Sequence, residues 1–477
     1  MAVTLPMPPP ARPPAWDGPA LARATGGRLV AGGPAGPPPG PLATDSRAVG
    51  PGQWFLALRG ARFDGHDFLR AARANGCAGA VAEAVPAGWD AGFVEVADTL
   101  EALQNLGRHV ARGFDGPVVA ITGSCGKTTA RELTALALRP SRRVHQTEGN
   151  RNNHIGVPLT LAAMPAGAEA CVLEMGMSAP GEIALLQEIA GPTVRVVTNV
   201  GPAHLAGCGG TLEGVARAKA ELVAPARSGD VCVLNADDPR VAAMAPASGA
   251  RVLTFGTDPG SDVWLRHAAL RETAAGPKVV ASLEDRVSSP GRTALDVKVP
   301  GVGGHLGICA AAAVAAAVAA GAPFDDAMAA SLGEYEPVGM RMRLDALRGG
   351  ARLFDDAYNA NPLSVRNAVD TLAGLGGAGK RIVALGDMLE LGPDEGKYHR
   401  DALEYALASG SDAVLLTGPR FAAAAAAVGS ARTAVAPTAA ELARHVPELR
   451  AGDAVLVKGS RSMAMEGLVR ELKARRL

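Results

Sequence analysis

A glycine-rich turn between a predicted buried strand and a predicted helix holds the clearest chemical pattern in the sequence. After the apolar run 118–122 the chain reads Gly123-Ser124-Cys125-Gly126-Lys127-Thr128-Thr129. Glycines let the backbone approach a ligand, a helix N-terminus presents free N–H groups to an anion, and a lysine adds positive charge. The segment is therefore predicted to bind nucleotide phosphates. Its spacing is a shortened variant of the usual phosphate loop, because Ile121 stands where the first glycine is expected.

Further polar side chains follow other predicted strands. Glu174 ends the apolar run 171–173, and His204 comes just after the run 194–200. Because the carboxyl ends of strands in a doubly wound sheet share one crevice, Thr128, Glu174 and His204 are predicted to converge on metal-bound phosphates. Taken alone, His204 is more typical of a surface or capping histidine, and Glu174 of a partner for an arginine.

Lys219 and the segment 147–154 can each be interpreted either as structural or as functional. Lys219 falls on a predicted helix, where a lysine is ordinarily solvated. Asn150 and Asn152 belong to the amide-rich segment 147–154, which suits a turn as well as it suits binding of an oligoanion or a peptide backbone. The residues alone do not decide between these interpretations.

A dense polar cluster closes the strand predicted over 352–355. The chain there reads Phe354-Asp355-Asp356-Ala357-Tyr358-Asn359-Ala360-Asn361-Pro362. An aromatic ring such as that of Tyr358 suits stacking on a nucleotide or ribose, while Asp356 or Asn359 suits recognition of hydroxyl groups. Polar residues also follow the strands that end at Leu385 and Val457. These strand ends are predicted to line a second crevice.

The elements that must position these side chains fit about three domains of roughly 150 residues each. Short strands in the first hundred residues predict a small α/β unit. From Val118 onward, buried strands alternate with helices, which predicts a mostly parallel sheet with an irregular or antiparallel edge over 262–300. The same alternation resumes near 335. The predicted domains are 1–113, 114–334 and 335–477, and residues 1–14 are predicted to be a disordered, proline-rich leader.

Composition excludes several classes of protein. Lys plus Arg and Asp plus Glu both total 47, so no net charge recruits nucleic acid or an anionic membrane. The six cysteines contain no CxxC pair, which argues against a zinc ribbon or disulfide framework and predicts reduced thiols in the cytoplasm. The longest apolar run, 309–320, is far shorter than the about 20 residues that span a bilayer. The start of the chain lacks the pattern of a secretory signal.

Together these motifs resemble the Mur ligases of bacterial peptidoglycan synthesis, over residues 45–466. The resemblance rests on the phosphate loop and on further segments that include Asp45-Ser46-Arg47, Gly149-Asn150-Arg151-Asn152-Asn153, Thr198-Asn199-Val200-Gly201-Pro202-Ala203-His204, Gly386-Asp387-Met388-Leu389-Glu390-Leu391-Gly392 and Lys458-Gly459-Ser460-Arg461. It implies an α/β fold of three domains: a small N-terminal UDP-sugar-binding domain, a central parallel-sheet domain that binds ATP at the phosphate loop, and a C-terminal Rossmann-like ligase domain.

The resemblance also implies an ATP-dependent amide ligase. ATP would phosphorylate a peptide carboxylate, and an amine would then displace phosphate from the acyl phosphate. Within the family, the Tyr-Asn-Ala-Asn-Pro and Gly-Asp-Met-Leu-Glu-Leu-Gly runs are similar to those of members that join D-alanyl-D-alanine to UDP-N-acetylmuramoyl-tripeptide, giving the pentapeptide precursor. The expected partners are these small molecules, with no nucleic acid and no membrane insertion, and the chain is expected to be a monomer.

Roles follow from the resemblance residue by residue. Lys127 would hold the transferring phosphate, Thr128 and Glu174 would ligate one Mg²⁺, and His204 a second. Lys219 matches the lysine that related ligases carry as a carbamate, and Lys127, Lys219 and His204 form the catalytic set. Ser46 and Arg47 would lie by the uridine diphosphate. The ATP site would comprise residues 123–129 with Arg341, Asp356 and Tyr358, and the remaining substrate-binding residues would be Asn150, Asn152, Asn359 and Asn361.

Two alternatives accompany this interpretation. One is a sister ligase that adds a single amino acid or a polyglutamate chain, and the other is a nucleotide-binding switch protein without amide synthesis.

The sequence also departs from the family at one place. Family members often carry His-Asn-x-x-Asn before the alanine-rich helix, whereas this chain has His305-Leu306-Gly307-Ile308-Cys309 and lacks both asparagines.

Overall fold

A computed structural model describes residues 15–31, 40–60, 62–244, 246, 249–274, 276–288, 294–375 and 379–475. The leader predicted over 1–14 lies outside these residues. In the described part of the chain no helix is both long and apolar enough to cross a membrane.

Helices and strands alternate along most of the described chain. In chain order they are α1 (Gly18–Thr25), β1 (Arg28–Ala31), β2 (Leu42–Ala43), β3 (Trp54–Leu56), α2 (Leu69–Ala74), β4 (Gly79–Ala82), β5 (Gly92–Glu95), α3 (Thr99–Arg112), β6 (Val118–Thr122), α4 (Lys127–Leu138), β7 (Val144–Gln146), α5 (Gly156–Ala162), β8 (Ala170–Glu174), α6 (Glu182–Ala190), β9 (Val194–Val197), α7 (Leu212–Ala220), β10 (Val231–Asn235), α8 (Pro239–Ala242), β11 (Arg251–Gly256), β12 (Val263–Arg271), β13 (Lys278–Asp285), β14 (Leu295–Pro300), α9 (His305–Ala319), α10 (Asp326–Leu332), β15 (Arg343–Ala346), β16 (Arg352–Asp356), α11 (Pro362–Ala373), β17 (Arg381–Gly386), α12 (Glu395–Ala408), β18 (Ala413–Thr417), α13 (Pro419–Val428), β19 (Thr433–Ala436), β20 (Ala454–Lys458) and α14 (Glu466–Ala474). Short 3-10 helices lie at Gly65–Phe68, Ala206–Cys208, Arg348–Gly350, Gly392–Asp394, Glu441–His445 and Arg461–Met463.

The chain forms two compact units. Among the described residues, the first consists of those up to 120 with 141–176 and 182–193, and the second of 121–140, 177–181 and those from 194 onward. The first unit holds a five-stranded sheet in the order β1-β5-β4-β3-β2, in which only β1 runs antiparallel to its neighbour. Trp54 and Leu56 face one core and Phe55 the other, as the two-residue period of a strand requires.

Helix α3 shows how the sequence defines an element of the first unit. Asp98 caps it, because its side chain accepts the N–H of Glu101 at 2.7 Å. Leu103 and Leu106, three residues apart, lie on one face of the helix and are fully buried in the core that also contains Trp54. In the same unit, β7 pairs in parallel with β8. The predicted α/β unit is confirmed, although β1 and β2 gave no clear strand signal.

The second unit contains the strands β9 to β14, which lie side by side in chain order. Strands β9, β10 and β11 are parallel, whereas β12, β13 and β14 form an antiparallel edge, which confirms the edge predicted for 262–300. The alanine-rich helix α9 is buried along most of its 15 residues and packs against these strands and against α4. Small side chains allow this close approach between helix backbones and the sheet.

A six-stranded sheet in the order β15-β16-β20-β17-β18-β19 follows in the second unit. Only β15 is antiparallel to its neighbour. Helices cover both faces, since Phe354 packs in one core and Leu353 in the other. This arrangement confirms the predicted α/β class with mostly parallel sheets. Strand β15 was not predicted, because its half-exposed residues lack a continuous apolar run.

Candidate active site

The phosphate-loop segment turns from β6 into α4 through two glycines in the left-handed region of backbone space. Gly123 has φ 154° and Gly126 has φ 79°. A side chain at Gly123 would place its Cβ 1.9 Å from Thr198 Oγ1, so only glycine fits there. No side chain caps α4 at Gly126. The loop therefore offers the close backbone approach and open helix N-terminus that an anion needs.

The segment after β9 holds this loop in place. Asn199 Oδ1 accepts the N–H of Cys125 at 2.8 Å, and Asn199 Nδ2 donates to the Cys125 carbonyl at 3.0 Å. Thr198 Oγ1 donates to the same carbonyl at 2.8 Å, and Ser124 Oγ donates to the carbonyl of Gly201 at 3.0 Å. The loop is thus rigidly supported from a neighbouring strand end. Sequence analysis assigned no role to Asn199, although its place just after a buried strand was a usable signal.

Lys127 of the loop and Lys219 of α7 are near enough to interact electrostatically. Lys127 Nζ donates to the carbonyl of Gly123 at 2.8 Å, which keeps the amine within the loop. Lys219, on α7, is only 2% exposed, so the expectation of a solvated lysine is wrong. Burial, and secondly the charge of Lys127, hold the pKa of Lys219 well below its ordinary value. The site therefore disfavours a second ammonium group and favours the neutral amine of Lys219.

His204 lies in an unusual backbone conformation and contacts a residue far along the chain. Its φ is 56°, and its Nδ1 is hydrogen-bonded to the carboxylate of Glu390, which itself has φ 63°. The interaction with His204 holds the pKa of Glu390 below its ordinary value. Non-glycine residues in this region are uncommon and often mark functional sites. Glu390 was not among the site residues predicted from the sequence.

Glu174 and Asn152 lie together in the first unit. The Glu174 side chain is 1% exposed, and Asn152 Nδ2 donates to its Oε1 at 2.8 Å. The Glu174 N–H donates to Thr147 Oγ1 at 3.1 Å. Asn150 is exposed, and its carbonyl accepts the N–H of Asn152 at 2.8 Å. The amide-rich segment therefore positions a buried carboxylate through Asn152, whereas a ligand role for Asn150 stays a prediction.

Ser46 and Arg47 occupy a surface turn of the first unit. The exposed Arg47 guanidinium contacts Asp45 at 2.8 Å and lowers the pKa of that carboxyl to about 2. Asn75 Nδ2 donates to the carbonyl of Ser46 at 2.8 Å and fixes the turn. Their predicted place beside uridine diphosphate stays a prediction.

The predicted polar cluster after β16 is held by a buried lysine. Lys458 is 3% exposed, and its Nζ donates to Asp356 Oδ2 at 2.6 Å and to the carbonyl of Asn359 at 2.8 Å. The N–H of Met342 donates to Asp356 Oδ1 at 3.1 Å. Both Asp356 oxygens therefore have a partner. Like Asn199 and Glu390, Lys458 had no individual role predicted from the sequence.

Tyr358 and Arg341 stack on one another. The Arg341 guanidinium lies 4.1 Å from the centroid of the Tyr358 ring, at cation–π distance. The structure thus brings together the three residues of this region that were predicted to close over ATP, namely Arg341, Asp356 and Tyr358. One face of the Tyr358 ring is occupied by Arg341 rather than left open for a base.

Asn361 links this cluster to the phosphate loop. Its Oδ1 accepts the N–H of Ser364 at 2.8 Å and caps α11. Its Nδ2 donates to the carbonyl of Ser124 at 3.2 Å. Asn359 is engaged locally, since its Oδ1 accepts the N–H of Ala360 at 2.9 Å. Roles for Asn359 and Asn361 in substrate binding stay predictions.

Comparison with known proteins assigns a family. Family models match residues 42–110 (Mur ligase family, catalytic domain), 121–317 (Mur ligase middle domain) and 340–461 (Mur ligase, glutamate ligase domain). A relative from Bacillus subtilis named UDP-N-acetylmuramoyl-tripeptide–D-alanyl-D-alanine ligase is 35% identical over 445 residues, covering 90% of this chain and 92% of its own. The chain belongs to the Mur ligase family. An Escherichia coli relative of the same name is 35% identical over 435 residues, covering 91% and 93% of the two chains.

Solved Mur ligase structures agree. A crystal structure of MurF from Acinetobacter baumannii has a TM-score of 0.85 and 29% identity over 97% of this chain and 100% of its own. MurF from Thermotoga maritima in complex with ADP has a TM-score of 0.78 and 29% identity, covering 91% and 97% of the chains. The resemblance to Mur ligases and the three-domain α/β fold are confirmed. The boundaries proposed at 113 and 334 stay predictions.

The donors proposed for a Mur ligase metal site fit Mg²⁺ bound together with a nucleotide. Among the described residues, no group of three or more His, Cys, Asp or Glu side chains comes together to hold a metal ion. Mg²⁺ is commonly held by one or two protein carboxylates, with phosphates and water completing its shell. Thr128 and His204 offer a hydroxyl and an imidazole in the second unit, and Glu174 offers a buried carboxylate in the first; their joint ligation of Mg²⁺ stays a prediction.

Replacement of Asn361 tests its double contact. Asn361→Ala removes the cap of α11 and should lower the local unfolding free energy by about 1 kcal/mol. Asn361→Asp keeps the capping oxygen but removes the donor to Ser124, so it should retain the helix and weaken ADP binding. Native-state hydrogen exchange of the first turn of α11 and calorimetric titration with ADP measure the two effects. Equal loss of protection in both variants would contradict the capping role.

Proposed function

We propose that the protein is an ATP-dependent ligase that joins D-alanyl-D-alanine to UDP-N-acetylmuramoyl-tripeptide, giving UDP-N-acetylmuramoyl-pentapeptide, ADP and phosphate. The observation that carries this proposal is the supported phosphate loop with the buried Lys219 close to Lys127, in a chain that spans about nine-tenths of relatives bearing that name. The proposed site of action is the cytoplasm, where thiols stay reduced, and all six cysteines are free.

The reaction proceeds in two steps. A carboxylate does not condense with an amine unaided, so a carboxylate oxygen of the tripeptide attacks the γ-phosphorus of ATP and ADP leaves. The amine of D-alanyl-D-alanine then attacks the acyl carbon, the bond to the phosphate oxygen breaks, and the amine loses a proton. Negative charge spreads over the phosphoryl oxygens during transfer, so positioned positive charge supplies most of the catalysis.

The residues of the phosphate loop act on the transferring group. The backbone N–H groups at the start of α4 and the amine of Lys127 bind the phosphates, and the bracing by Asn199 holds them in place before ATP arrives. Thr128, Glu174 and His204 would hold Mg²⁺, which neutralises charge on the phosphoryl oxygens when bound. Arg341 and Asp356 would contact ATP from the six-stranded sheet, and their contacts with Tyr358 and Lys458 support this role by holding both side chains in place.

Lys219 has a separate role in the proposal. Its neutral amine adds to CO₂ and loses one proton, forming a carbamate that carries negative charge. Burial and the low pKa of Lys219 support this chemistry, because only the uncharged amine is a nucleophile. The carbamate replaces a repulsive pair of cations by an attractive pair with Lys127.

The decisive experiment measures phosphate release from ATP with UDP-N-acetylmuramoyl-tripeptide, with and without D-alanyl-D-alanine, and identifies the product by mass. The expected result is release that requires both substrates and yields the pentapeptide. Release that ignores the dipeptide but responds to a single amino acid would identify a sister ligase. Nucleotide binding with no substrate-dependent release would identify a switch protein.

A further inference from the structure

The contact between His204 and Glu390 joins two distant segments of the second unit. His204 lies in the segment that follows β9, and Glu390 in the segment that follows β17, 186 residues further along the chain. The contact involves main chain as well as side chains, because the N–H of Ala206 donates to the carbonyl of Glu390 at 3.1 Å. Both His204 and Glu390 have positive φ, a backbone conformation that is uncommon for residues other than glycine.

The chemistry of the contact determines which imidazole nitrogen is free. An ionised carboxylate only accepts hydrogen bonds, so His204 Nδ1 donates its proton to Glu390. In this tautomer Nε2 keeps its lone pair. Histidines that ligate metals almost always donate their other ring N–H to a carboxylate or carbonyl, which fixes the ring and raises the basicity of the ligating nitrogen.

Glu390 is itself held by a network of buried groups. Its neighbour Leu389 donates its N–H to Ser460 Oγ at 2.9 Å, and Met388 donates its N–H to Nε2 of the buried His399 at 2.9 Å. Asp387, also fully buried, accepts the N–H groups of Arg420 and Phe421 at 3.1 and 2.9 Å and thereby anchors the start of α13. The segment 387–390 is therefore held by several hydrogen bonds besides the contact with His204.

We propose that Glu390 is a positioning residue that orients His204 as a ligand for a divalent metal. The proposal rests on the proposed function, which supplies the metal together with ATP. His204 lies in the part of the chain matched by the Mur ligase middle domain, and Glu390 in the part matched by the glutamate ligase domain. The ligand is therefore oriented by a carboxylate from a different domain, and metal affinity depends on the contact between the two.

The test titrates Mn²⁺ into the full-length protein in the presence of ADP, with no peptide substrate, and follows free Mn²⁺ by electron paramagnetic resonance. Glu390→Ala should weaken Mn²⁺ binding by about 10- to 100-fold, the range found when the outer partner of a metal ligand is lost. Glu390→Gln keeps an oxygen that accepts from Nδ1 and should lose less. ADP affinity in EDTA should not change in either variant.

A double-mutant cycle separates positioning from a general structural effect. If Glu390 acts through His204, Glu390→Ala should weaken Mn²⁺ binding in the native background and add nothing in a His204→Ala background. Glu404→Ala, at an exposed glutamate on α12, is the matched control and should bind Mn²⁺ as the native protein does. Native Mn²⁺ affinity in Glu390→Ala, or an equal loss in both backgrounds, would overturn the proposal.

This outcome is independent of the ligase reaction. Because the titration contains no peptide substrate, it reports on Glu390 even if the protein does not make the pentapeptide. Failure of the native protein to release phosphate with both substrates would refute the proposed function instead.

Discussion

Lys127→Ala is expected to lower turnover by about 100-fold or more, which corresponds to roughly 3 kcal/mol of lost transition-state stabilisation. The Lys127 amine lies inside the phosphate loop at 2.8 Å from the Gly123 carbonyl, where it can meet the charge that develops on the transferring phosphoryl group. Binding of ATP in the ground state uses the same charge, so KM for ATP should rise while kcat falls. Steady-state kinetics with both substrates measure the two parameters.

The control for this variant is Lys397→Ala. Lys397 is an exposed lysine on α12, so its loss removes the same group from a solvated helix face and should leave turnover unchanged. Thermal unfolding of both variants checks that each remains folded. Near-normal turnover of Lys127→Ala would remove the assignment of residues 123–129 as the phosphate-binding loop.

Lys219→Ala is expected to lose activity on a similar scale, about 100-fold, because it removes a preorganised charged group from the site. The variant leaves a space where the side chain was buried, so added formate or acetate should restore part of the rate by supplying the missing anion. A carbamate on the native protein should give a carbonyl signal in a ¹³C NMR spectrum recorded in ¹³C-labelled bicarbonate. Full activity of Lys219→Ala without additives would contradict the catalytic role.

Lys219→Met is the matched control, because methionine fills much of the same space and carries neither charge nor carbamate. It should be inactive and unresponsive to formate.

The stability of the native protein should also depend on pH. In CO₂-depleted buffer its free energy of unfolding should rise with pH, because the pKa of Lys219 is lowered in the folded state and the unfolded chain binds the proton more strongly. The increase in unfolding free energy should occur at pH values between the lowered pKa of Lys219 and the ordinary lysine pKa of about 10.4, and it should be absent in Lys219→Met.

Much of the fold was accessible from the sequence because its central strands are continuous apolar runs. Runs such as β6, β10 and β20 stand out from the helices around them. The antiparallel edge was indicated because the alternation of apolar strands with helices stops there. Strands β7 and β19 were missed, since each is short and only partly buried. Edge strands bury less surface, and their sequences carry a correspondingly weaker signal.

The candidate site was accessible only in part. The phosphate loop is a local pattern, and local chemistry alone indicates its use. The burial of Lys219 is decided by what packs against α7, which the helix sequence does not contain. The contact of His204 with Glu390 spans 186 positions, and nothing in either segment specifies the other. Periodicity identifies helices and strands, but it does not say which strand ends will meet.

The alanine-rich helix α9 has a consequence for how the site tolerates change. It packs against α4, which begins at the phosphate loop, and a Cβ at Gly126 would lie 3.2 Å from Cys309 Sγ on α9. The small side chains of α9 therefore determine how closely α4, and with it the start of the phosphate loop, can approach this helix. Longer side chains on α9 would force α4 and the start of the phosphate loop to shift, so this buried helix limits which substitutions the loop tolerates.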